Sequence, residues 1–68
     1  MMIIDWSKPL EVIDKETGER WHVERVDEYR KSRVLHWENE LWNASAVFYK
    51  KDPEYHKCFR VVNAPEAK

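Results

Sequence analysis

The residues with the most reactive side chains are three histidines and one cysteine. His56-Lys57-Cys58 puts an imidazole and a thiol at i and i+2, on one face of a strand, and that pair suits zinc. His22 and His36 would have to complete the ligand set. A structural zinc site takes four ligands, commonly with Cys-x-x-Cys or His-x-x-x-His spacing, and neither spacing occurs here. The plainer reading makes Cys58 a small buried hydrophobe and the histidines partly exposed strand residues. Cys58 also has the cations Lys57 and Arg60 close by and His56 as a candidate base, the beginnings of a nucleophile site. Nothing in the sequence supplies an oxyanion hole or a substrate cleft, so we expect no catalytic residue, no metal and no cofactor.

Aromatic and basic residues are the other source of chemistry. Tyr49-Lys50-Lys51, Tyr55-His56-Lys57 and Tyr29-Arg30-Lys31 with Arg33 each pair a ring with cations, a combination that stacks on bases and neutralises phosphates. A net charge of −1 opposes that reading, because affinity for a phosphate backbone comes from neutralising several phosphates at once. Trp21, Trp37, Trp42 and Phe48 are the expected core. Trp6, and Trp37 if it faces outward, are candidates to anchor a partner. Four Trp, three Tyr and two Phe are more large rings than a chain of 68 residues is expected to hide. Some aromatic area should therefore remain exposed for a partner or a homodimer, with Trp6, Trp37, Tyr49, Lys50, Lys51 and Tyr55 as the candidate contact residues.

The composition describes one small folded domain over residues 1–68. Twelve Lys and Arg balance thirteen Asp and Glu, which disfavours an acidic nucleic-acid mimic and a basic nucleic-acid arm alike. One cysteine makes no internal disulfide, so a reducing cytoplasm is the expected compartment. The apolar run Met1 to Ile4 is far short of a signal peptide's core or a membrane span of roughly 20 residues. No membrane association is expected. One Gly and three Pro are the reverse of a disordered composition.

Ten Val and Ile against three Leu and four Ala favour strands over helices. Leu10, Val12 and Ile13 begin a first strand after the Pro9 break. Asp14 to Glu19 is a turn in which Gly18 takes the left-handed position. Trp21 and Val23 alternate with His22 and Glu24, and Val26 breaks the phase, which predicts a bulge or a strand end. Asp27 to Ser32 reads as a loop or one helical turn. Arg33 to Trp37 is a third strand with large apolar groups on both faces, and Glu38-Asn39-Glu40 is a turn. Trp42, Ala44, Ala46 and Phe48 alternate with Asn43, Ser45, Val47 and Tyr49, the cleanest strand pattern in the chain. Lys50 to Glu54 is a turn, and Tyr55 to Val62 a last strand ended by Asn63-Ala64-Pro65. Together they predict an all-β fold, a small five-stranded SH3-like barrel or curled antiparallel sheet. The alternative is an α+β fold with one helix within residues 19–35, where Glu and Arg are frequent and Val23, Val26, Arg30 and Val34 approach helical spacing.

Ile4-Asp5-Trp6-Ser7-Lys8-Pro9-Leu10 and Val61-Val62-Asn63-Ala64-Pro65-Glu66 resemble the opening and closing segments of small phage and prophage accessory proteins. The shared features are a Trp-x-Lys-Pro opening and an Asn-x-Pro-Glu ending, over about 13 of the 68 residues. The family pattern places an Asp-Gly turn and an Arg-Val-Leu strand soon after the opening. Here the turn is Thr17-Gly18, and Arg33-Val34-Leu35 comes later. The resemblance implies a phage or prophage accessory protein in the cytoplasm of a bacterial host, and it brings no catalytic residue with it. The expected function is therefore non-enzymatic protein–protein interaction that modulates a host protein, with a host or phage protein as partner. The alternative is a small nucleic-acid-binding domain.

Overall fold

Period-2 alternation of apolar side chains runs through five stretches of the chain, and each becomes an antiparallel strand in the computed structural model, which describes residues 4–38 and 41–65. The strands are β1 (Leu10–Asp14), β2 (Arg20–Glu28), β3 (Ser32–Glu38), β4 (Asn43–Tyr49) and β5 (Phe59–Asn63). They form one sheet in the order β4-β3-β2-β1-β5, so the last strand returns to pair with the first. The fold is all-β, a curled half-barrel with the strand order of a small SH3-like barrel.

The curl is made by β2. Its first part pairs with β1, Trp21 opposite Val12, and its second part pairs with β3, Val26 opposite Leu35. The register slips between Val23 and Arg25, and this bulge lets Val23 and Val26 both turn inward although they are three positions apart. That is the phase break seen in the sequence. Inside the curl lie Leu10, Val12, Val23, Leu35, Trp37, Ala46, Phe48 and Val61, with Ile4 added from the segment before β1. Ile4 is held there by a clasp: the Asn63 side chain accepts from the Asp5 N–H and donates to the Asp5 carbonyl.

Gly18 has φ +78°, and its N–H donates to the Asp14 carbonyl in the β1–β2 turn. Asp14 Oδ1 also accepts the N–H groups of Glu16 and Thr17, so one carboxylate oxygen fixes the turn from inside.

Several expectations change. Residues 19–35 carry no helix; they form β2 and the start of β3, because Val23 and the half-buried Val26 turn inward opposite Trp37 and Leu35 on the neighbouring strand. Asp27 to Ser32 is not all loop, since β2 continues through Glu28 and β3 begins at Ser32, leaving residues 29–31 as the turn. Tyr55 to Cys58 lies outside β5. The Cys58 N–H is taken by the His56 ring and the Cys58 carbonyl accepts from the Lys15 N–H, so this stretch turns before the ladder starts. Trp42 is not core: it is 61% exposed just before β4, whereas Trp37 and Phe48 are buried and Trp21 is half-buried. The turn at Glu38-Asn39-Glu40 falls partly outside the described residues, and Met1 to Ile3 of the apolar run and Glu66 of the closing segment lie outside them. Among the described residues no helix is long and apolar enough to cross a membrane.

Candidate functional site

The inward-facing side chains do not stop where the core ends. At the end of the half-barrel that carries the β1–β2 turn, Asp14 from β1, Glu19 from the turn, Trp21 from β2, Trp37 from β3, Ala44 from β4 and Phe59 from β5 continue the inner face beyond the close-packed interior. With Leu41 and Trp42 they line an open groove of about 430 Å³. The register explains the meeting. Phe59 lies opposite Asp14, Trp21 opposite Val12, Trp37 opposite Val23, and Ala44 opposite Trp37, so each contributor sits on the inward side of its strand.

The groove has a rigid aromatic floor. Trp37 is 2% exposed, stacks on Trp21 at 6.3 Å between ring centroids with 21° between the planes, and meets the edge of Phe59 at 5.1 Å. Ala44 beside Trp37 is too small to fill the space above it. Leu41 and Trp42 stand at the rim, 82% and 61% exposed. Asp14 and Glu19 supply two carboxylates, and no lysine or arginine lines the groove among the described residues. Asp14 Oδ1 is committed to the turn, whereas its Oδ2 and the Glu19 carboxylate have no hydrogen bond or ion pair among the described residues.

The residues named from the sequence are spread over the molecule. Trp37 faces inward and contributes the floor. Trp6 is half-buried against the core with the Arg33 guanidinium carbon 4.5 Å above its ring, and Arg33 in turn donates to Glu28 at 2.6 Å. Tyr49, Lys50 and Lys51 are exposed at the far end of β4 from Trp42, roughly 20 Å away along a seven-residue strand. There they meet the Tyr29-Arg30-Lys31 turn through a hydrogen bond from the Lys50 N–H to the Lys31 carbonyl. Lys50 and Arg33 share Glu28, whose carboxyl they hold below the usual carboxylate range, Arg33 more strongly. Tyr55 is 58% exposed with the Lys15 ammonium 4.9 Å over its ring. Sequence reasoning missed Leu41, Asp14 and Glu19, and took Trp42 for core. The signal available was parity: Trp42 shares the phase of Ala44, Ala46 and Phe48.

His56 and Cys58 make neither a dyad nor a metal site in this arrangement. Cys58 is exposed rather than buried, and His56 Nδ1 accepts the Cys58 backbone N–H at 2.9 Å instead of facing the thiol. Among the described residues no three His, Cys, Asp or Glu converge on a point where a metal would bind. His36 contacts Asp27 at 2.9 Å, and His22 is exposed on β2. The His56 ring instead sits against Phe48 and Phe59, 5.2 and 5.3 Å between centroids, and bridges the unpaired gap between β4 and β5.

Burial there, and then the nearby Lys15 charge, hold the His56 imidazole below histidine's ordinary 6.5. The folded chain therefore binds this proton less tightly than the unfolded chain. The contribution to stability is full above the unfolded value of 6.5 and is lost as pH falls through the depressed folded value. Urea midpoints taken above neutrality and at about pH 5 should fall on acidification, and fall less in His56→Gln. An equal fall in both proteins would assign the pH dependence elsewhere.

No protein family, no curated protein and no solved structure matches this chain.

Proposed function

We propose that this chain is a non-enzymatic interaction module, and that the groove of Trp21, Trp37, Trp42 and Phe59 holds a segment of a partner protein. One observation carries the reading: Trp42 and Leu41 stand exposed at the rim of a groove whose floor is a buried tryptophan. Large rings presented over a rigid floor are the usual anchors of protein interfaces, since they offer area at little cost in conformational freedom. The outer edges of β4 and β5 add unpaired backbone groups with which an extended segment could pair, as neither strand has a second neighbour among the described residues. An origin in a phage or prophage, as the two end segments imply, would make a host or phage protein the partner and the bacterial cytoplasm the compartment.

Selection of random peptides on the immobilised protein tests this directly, with Trp42→Ala selected in parallel. The expected result is a sequence motif enriched by the wild type and absent from the variant, both being folded by circular dichroism. Identical enrichment by the two proteins, or none by the wild type, would remove the groove from consideration.

A second reading rests on the opposite tip. Tyr29, Arg30, Lys31, Tyr49, Lys50 and Lys51 gather there, with Tyr29 and Tyr49 more than half exposed, an arrangement able to stack bases and contact phosphates. In the same assay format, binding of a single-stranded oligonucleotide that weakens steeply with salt and is lost in Lys50→Ala/Lys51→Ala would favour it.

A further inference from the structure

Resting on the groove as a docking site, we infer that its principal occupant is the guanidinium of an arginine carried by the partner segment. The reason lies in how the molecule treats two of its aromatics outside the groove, Trp6 and Tyr55. At Trp6 the chain lays its own guanidinium, Arg33, 4.5 Å over the ring and closes the arrangement with the Glu28 carboxylate at 2.6 Å. At Tyr55 it lays its own ammonium, Lys15, 4.9 Å over the ring. The groove repeats two parts of the Trp6 arrangement, indole faces and carboxylates, and omits the third, because no cation of the chain lines it among the described residues. Lys15 follows Asp14 directly but is drawn away, its ammonium donating to the His56 carbonyl at 2.6 Å.

The chemistry of the omitted part follows from the walls. A cation is attracted to an indole face, most strongly where water is partly excluded. Of the two basic side chains, the guanidinium is planar, weakly hydrated and able to stack flat on a ring while directing N–H groups sideways to carboxylate oxygens. Trp21 and Trp42 offer rings beside the floor, and Asp14 Oδ2 and the Glu19 carboxylate offer acceptors not used by the fold. An ammonium, as a strongly hydrated point charge, would use the carboxylates and little of the rings. A neutral apolar side chain would fill the groove and leave two carboxylates desolvated without a partner, which is unfavourable.

The test uses small probes and the whole chain. N-acetyl-arginine methylamide, its citrulline counterpart, which has nearly the same shape without the charge, and the lysine counterpart are titrated while the tryptophan indole N–H resonances are followed by NMR. Saturable shifts of the Trp21 and Trp42 indoles are expected with arginine, with affinity at least about fivefold weaker for citrulline and weaker for lysine. Asp14→Asn combined with Glu19→Gln should abolish the preference for arginine over citrulline. The Asn replacement keeps an acceptor oxygen for the turn, so that variant retains its fold. Equal affinity for arginine and citrulline, tighter binding of lysine, or no shift with arginine would each overturn the guanidinium assignment. If citrulline-substituted versions of the selected peptides still bind the wild type and not Trp42→Ala, the groove stands and only this assignment falls. If no peptide distinguishes those two proteins, the docking reading itself has failed.

Discussion

Trp37→Ala is expected to leave the chain largely unfolded. The ring is 2% exposed and touches Trp21 on one side and Phe59 on another, so it joins β2, β3 and β5 around one point. Truncating a buried aromatic to alanine removes its transfer free energy and leaves a cavity, together about 3–5 kcal/mol. A domain of this length has a total stability on the order of 3–10 kcal/mol, so the loss consumes most or all of it. Trp37→Phe keeps a ring on the same stacking partners and should cost clearly less. Trp42→Ala is the internal control: the side chain is 61% exposed, and its removal should change stability by no more than about 0.5 kcal/mol. Urea unfolding followed by circular dichroism measures all three. A Trp37→Ala protein within about 1 kcal/mol of wild type would place the stabilising core elsewhere.

Asn63→Ala is expected to cost about 1–3 kcal/mol, well above the average for a polar surface residue. Its amide makes a two-way clasp on Asp5, accepting from the N–H at 2.9 Å and donating to the carbonyl at 2.8 Å. Alanine leaves both backbone groups of Asp5 without that partner and loosens the segment that delivers Ile4 to the core and Trp6 to Arg33. The backbone bond from Ala64 N–H to the Pro9 carbonyl stays in place, so β5 itself should remain paired. The local character of the change is the useful readout: hydrogen exchange should rise in residues 4–8 more than in β3 and β4. Uniform exchange across the sheet, or a stability change of only a few tenths of a kcal/mol, would show that the clasp is incidental.

Much of the fold is visible in local pattern. The alternation from Trp42 to Tyr49 gives β4 to within one residue at its start, Gly18 marks a turn that needs positive φ, and Val26 out of phase marks the bulge that bends β2. Each depends on a residue and its near neighbours. Of the stretch Tyr55 to Val62, only the second half is strand, and it supplies all of β5 but Asn63. The pattern from Tyr55 to Val62 looks continuous, and the ladder is delayed to Phe59 by Lys15, forty-one residues from His56 in sequence. Asp27 to Ser32 departs from a loop for a related reason: the polar residues Asp27 and Glu28 extend a strand when a histidine and an arginine across the sheet, His36 and Arg33, meet them.

The sequence by itself determined the class of the fold, the number of strands, the bend in β2 and which side of each strand is apolar. It also determined that large rings outnumber the places to hide them. Tertiary structure alone decided which rings those are. Trp37 and Trp42 both lie on the inward side, yet one is a floor and the other a rim, because alternation assigns a face and says nothing of where along that face the packing ends. That limit is set by the curl of β2 and by β5 returning to lie beside β1, a contact between residues about fifty positions apart. Only this closure brings Asp14, Glu19, Trp21 and Phe59 around the same groove, and no spacing within one strand could have announced it.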